Sequence, residues 1–121
     1  MYGKELILDL HDCDPKLFNR AGIEAFLIRL CDLIQMERCD LHFWDYEGEP
    51  EEYEKAPDHL KGVSAIQFIT TSNITIHTLD VPRDVYLNIF SCKFFDTDIT
   101  EHFCVDYWSA THHKSQVIER S

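Results

Sequence analysis

From Glu5 to Leu10 the run ELILDL is short, apolar and bounded by Gly3 before and the polar HDCDP after, a pattern that predicts a buried strand. Asp14 then takes the place of a helix N-cap, with Pro15 at the first helical position, where a missing N–H costs nothing. Ile23, Phe26, Leu27, Leu30, Leu33 and Ile34 recur at three-and-four spacing, so the helix that follows turns one apolar stripe toward a flat partner, most simply a sheet. Cys39 to Tyr46, CDLHFWDY, returns as a strand.

The segment after Tyr46, EGEPEEYEKAPDHLKG, is rich in acids, proline and glycine and breaks both periodicities. It predicts a solvated loop over about 46–61. Three strand-like runs come next, Val63 to Thr70, Asn73 to Leu79 and Asp84 to Cys92, with DVPRD as the turn between the last two. Asp98 followed by Glu101 resembles a capping box and opens a second helix through about His112, with Ile99, Phe103, Tyr107 and Trp108 inward. KSQVIER closes as a strand. The expected fold is α+β, a two-layer sandwich in β-α-β-β-β-α-β order, with a mainly antiparallel sheet and two helices on one face. One domain over residues 1–121 suffices.

A net charge of −11, with no cluster of Lys or Arg able to neutralise a run of phosphates, argues against a nucleic-acid partner. An anionic membrane surface is disfavoured for the same reason, and no apolar stretch approaches the roughly 20 residues that span a bilayer. The N-terminal MYGKELILDL lacks the zones of a signal peptide, so the expected location is cytoplasmic. Five cysteines, Cys13, Cys31, Cys39, Cys92 and Cys104, form no CxxC pair and are expected to be reduced thiols. No ligand spacing supports a metal site built from His11, Cys13, His77, Cys92 or the His112–His113 pair, and the two adjacent histidines fit a helix C-terminus.

The chemistry concentrates in TTSNITIHT, Thr70 to Thr78. Singly, Ser72 reads as a turn residue, His77 as a satisfied strand histidine and Cys92 as a small buried hydrophobe. Together they mean more, because a serine in a constrained turn can attack the carbonyl before it if neighbours supply an acid, a base and an oxyanion donor. A hydrolytic triad fits less well: the Gly-x-Ser-x-Gly elbow is absent and no carboxylate is placed to orient His77.

GVSAIQFITTSNITIHT followed by VYLNIFSCK resembles the prokaryotic S-adenosylmethionine decarboxylases, small pyruvoyl enzymes whose signature runs Gly-Val-Ser-Gly, Glu-Ser-His, Ile-His-Thr and Phe-Thr-Cys-Gly. Ser64 stands eight residues before Ser72, His77 five after it and Cys92 twenty after it, at the family's spacing. The resemblance implies self-cleavage at Thr71–Ser72, with Ser72 converted to a covalent pyruvoyl group that forms a Schiff base with a small-molecule amine substrate. It implies that Ser64 and His77 assist processing, and that Cys92 reprotonates the substrate carbon after decarboxylation. S-adenosylmethionine is the implied default substrate, polyamine biosynthesis the implied setting and a homodimer the implied assembly.

The chain also departs from that pattern. Thr71 replaces a glutamate, Asn73 a histidine, Lys93 a glycine and Asn88 an aspartate, while HTLDVPRD replaces His-Thr-Trp-Pro-Glu and the acidic segment lengthens a loop. Two alternatives therefore stand beside the default: a decarboxylase of another amino acid such as arginine or ornithine, and an unprocessed homologue acting as a binding or regulatory module.

Overall fold

The computed structural model describes residues 2–121. Six strands, β1 (Gly3–His11), β2 (Arg38–Trp44), β3 (Gly62–Ile69), β4 (Ser72–Leu79), β5 (Asp84–Ser91) and β6 (His112–Arg120), form one antiparallel sheet in the order β2-β3-β4-β5-β1-β6. Two long helices, α1 (Arg20–Leu33) and α3 (Thr97–Trp108), flank it, with a short α2 (Pro50–Lys55) between β2 and β3. The α+β class and the antiparallel sheet are as the pattern predicts, but the sheet has one strand more than the β-α-β-β-β-α-β order counts.

Alternation along each strand decides which face the helices cover. Leu6, Leu8 and Leu10 of β1, Ile74 and Ile76 of β4 and Val85, Leu87 and Ile89 of β5 are buried against Ile23, Phe26, Leu27 and Leu30 of α1 and Cys104 and Trp108 of α3. Neither long helix covers the other face. Glu5, Ser64, Thr75, His77, Tyr86 and Asn88 point that way, together with Trp44, Ile66 and Phe68, which are exposed.

Element ends differ from expectation for identifiable reasons. Asp14 and Pro15 start a single 3-10 turn, Pro15–Leu17, while α1 begins at Arg20 under an Asn19 cap whose side chain accepts from the Gly22 N–H at 2.7 Å. Leu33, expected in the buried stripe, is 43% exposed because it falls on the last turn, beyond the sheet contact. The second helix is capped by Asp96 rather than Asp98; the Asp96 carboxylate accepts from the N–H groups of Asp98 and Ile99 at 3.0 and 3.1 Å, which leaves Ile99 half exposed in the first turn. That helix ends at Trp108, and Ser109 in left-handed backbone (φ 53°) turns the chain so that His112 and His113 belong to β6, not to a helix C-terminus. The acidic segment is not all loop: Pro50 opens α2, Glu51 and Glu52 complement its first turn and Lys55 its last, and the Tyr53 hydroxyl donates to Asp80 at 2.7 Å.

Candidate functional site

β3 and β4 form a hairpin with Ile69 paired to Ser72, so Thr70 and Thr71 are its two turn residues. A turn this tight favours Asn or Gly wherever φ is positive. Here the positive position, φ 54°, is held by the β-branched Thr71, a conformation that costs on the order of 1–3 kcal/mol. The strain lies on the residue whose carbonyl a Ser72 attack would use.

Ser72 follows at the first position of β4 and is buried. Its Oγ accepts a hydrogen bond from the Cys92 N–H at 3.2 Å and lies 3.8 Å from Cys92 Sγ. Thr71 Oγ1 approaches the same sulfur at 3.0 Å while donating to the Thr70 carbonyl at 2.7 Å. These hydroxyls, Thr71 first and Ser72 second, hold the Cys92 thiol below its ordinary pKa because hydrogen bonds to sulfur favour the thiolate.

The segment after β5 is built to present that cysteine. Ser91, fully buried, accepts from the Lys93 N–H at 3.0 Å and donates to the Lys93 carbonyl at 2.8 Å, closing a tight loop around Cys92. The Lys93 ammonium reaches the Gln35 carbonyl at 2.7 Å and ties the loop to the end of α1. Gly3 lets β1 pass alongside: a Cβ there would fall 2.2 Å from the Ser91 carbonyl oxygen and 2.8 Å from Cys92 Cα.

The structure divides the four residues singled out by spacing. Ser72 and Cys92 meet. Ser64 and His77 meet each other, paired across β3 and β4 with Ser64 Oγ 2.7 Å from His77 Nδ1, but they sit elsewhere. Five residue steps along β4 separate His77 from Ser72, roughly 17 Å at strand rise. The odd count also puts His77 on the open face while Ser72 shares the side of Ile74 and Ile76.

The Ser64–His77 pair floors a cavity of about 520 Å³ whose walls include Trp44, Tyr46, His59 and Tyr86. One wall is braced by Asp45, which accepts two hydrogen bonds at 2.7 Å from the Arg20 guanidinium and is held below the usual carboxylate range by it. The departures from the signature also find places. Asn73 and Asn88 line a second depression on the open face, where the Asn88 amide donates to Glu5 at 2.8 Å. The other residues singled out for metal chemistry scatter: the His11 and His112 rings stack on paired strands, His113 bonds Glu101, and Cys13 is buried. Spacing alone missed the Thr71 hydroxyl, the Ser91 clamp and the aromatic cavity; only the glycine-free TT turn between two alternating runs signals the first of these.

The sequence profile of S-adenosylmethionine decarboxylase matches residues 4–121, nearly the whole chain. The chain belongs to that family. The crystal structure of the adenosylmethionine decarboxylase from Aquifex aeolicus VF5 superposes with a TM-score of 0.76 at 15% identity, covering 98% of this chain and 90% of that one. Likeness at that identity speaks for the fold alone. No curated protein matches the chain by sequence. The residues present fit the pyruvoyl group that the family implies: Ser72 and Cys92 are in contact, and the serine hydroxyl lies against the Cys92 N–H beside the strained turn.

Proposed function

We propose that this family member is a self-processing, pyruvoyl-dependent decarboxylase acting in polyamine biosynthesis, with S-adenosylmethionine as its substrate. The observation that carries the reading is the Thr71–Ser72 turn: a strained residue, a buried serine hydroxyl and a cysteine thiol meet at one peptide bond. Attack of Ser72 Oγ on the Thr71 carbonyl carbon would exchange the amide for an ester. Loss of the Ser72 Cα proton would then expel the Thr71 carboxylate, which keeps that oxygen, and addition of water would release ammonia. Residues 1–71 and a downstream fragment would result. The pyruvoyl group so made supplies an electron sink for loss of carbon dioxide from a bound amine.

This chain's own groups divide the remaining work. The Cys92 N–H stabilises charge gathering on Ser72 Oγ, and the Cys92 thiol is the acid that returns a proton to the substrate carbon. His77, oriented by Ser64, takes the Ser72 Cα proton. Because some 17 Å along the strand separates that pair from Ser72 in one chain, it acts on the serine of a second copy. The homodimer would bury the open face, where Trp44 is 86% exposed beside Ile66 and Phe68. The aromatic walls of the 520 Å³ cavity suit a flat base and a sulfonium cation.

Ser72→Ala should abolish chain cleavage while leaving the fold intact, read by denaturing gel and far-UV circular dichroism, and unchanged cleavage would exclude Ser72 as the attacking group. Release of carbon dioxide from S-adenosylmethionine, compared with arginine and ornithine, then tests the substrate.

A further inference from the structure

The residue before the serine does more than offer a carbonyl. Thr71 occupies left-handed backbone that glycine or asparagine would adopt with less strain, so a β-branched side chain there calls for a reason. Its contacts give one. A hydroxyl has one proton and two lone pairs; that of Thr71 goes to the Thr70 carbonyl at 2.7 Å, which fixes the rotamer and turns a lone pair toward Cys92 Sγ, 3.0 Å away. A neutral thiol donates to that lone pair. A thiolate receives the hydroxyl proton instead, in a charge-assisted bond stronger than the one the thiol makes, so either protonation state keeps a partner and the thiolate gains more.

We propose that Thr71 is a positioning residue for Cys92: its hydroxyl holds the thiol against the Thr71–Ser72 bond of the uncleaved chain and exchanges a hydrogen bond with it in either protonation state. The purpose assigned to that contact rests on the reading of Cys92 as a proton donor, while the contact itself does not. The other groups facing the sulfur are weaker or turned away: Ser72 Oγ is 3.8 Å off, the Tyr2 hydroxyl contributes less, and the Lys93 ammonium is engaged by Gln35. The sign is particular to this chain. A glutamate at position 71, as in the family signature, would disfavour a neighbouring thiolate, whereas the threonine hydroxyl favours it.

The test uses Ser72→Ala as a common background, so that the turn stays uncleaved whether or not the natural chain processes itself. Iodoacetamide alkylation of Cys92 is followed against pH by peptide mass mapping, with Thr71 intact and as Thr71→Ser, Thr71→Val and Thr71→Gly. The midpoint should move to higher pH in the valine and glycine variants and stay in place in the serine variant. Glycine also relaxes the turn, so agreement between the two hydroxyl-free variants separates the hydrogen bond from backbone strain. An unchanged midpoint in either of them, or an equal shift in Thr71→Ser, overturns the proposal. An unprocessed wild-type chain would count against the decarboxylase and leave this result standing.

Discussion

Cys92 differs from the buried thiols of the core. Burial pushes Cys13 and Cys31 up to about 11 and Cys104 higher still, whereas hydroxyl groups pull Cys92 down. A lowered pKa means more thiolate at any pH below the ordinary thiol value, so alkylation begins at lower pH. Near neutrality, iodoacetamide should therefore label Cys92 well ahead of Cys13, Cys31 and Cys104, as read by peptide mapping; labelling at equal rates would remove the hydroxyl effect. At this scale the sequence was half legible. The twenty-residue interval from Ser72 to Cys92 pairs two residues that do touch, because it spans one antiparallel hairpin and returns the chain to the same sheet end. What Thr71 does was hidden, because its role depends on a positive φ set by the two-residue turn and not by its own identity.

Among the elements, the six strands and two long helices were legible wherever one face is buried, since burial imposes the period of two or 3.6 directly on the side chains. Boundaries were less so. Caps are local hydrogen-bond choices, and DTDITE offers two carboxylates, Asp96 and Asp98, either of which could open a helix. The structure chooses Asp96, and Asp96→Ala should accordingly lower stability by about 1 kcal/mol in urea unfolding, with Asp98→Ala costing clearly less. The reverse order would restore the Asp98 boundary. Core positions should respond more strongly: Leu87→Ala, fully buried on the central β5, is expected to cost about 2–5 kcal/mol by the same measurement. The acidic segment misled because charge predicts exposure, which α2 has, without excluding a helix, which Pro50 and the glutamates favour.

Across the whole molecule, the sheet itself separates the candidate chemistry. Ser72 and Cys92 lie at one strand end, and Ser64 and His77 lie toward the other end on the open face. Spacing along a strand encodes this, for an interval of five reverses the face, but only a known hairpin register turns the interval into a distance. If His77 acts on the serine of a second copy, co-expression of Ser72→Ala with His77→Ala should restore cleavage of the His77→Ala chain. Neither variant should be cut when expressed alone. Failure of the mixture to process would rule out action between two copies. The central claim is scission of Thr71–Ser72, and the intact mass of the wild-type chain under denaturing conditions tests it most directly. The account predicts two fragments divided before residue 72, the downstream one blocked at its N-terminus by a pyruvoyl group; a single undivided chain after prolonged incubation would contradict it.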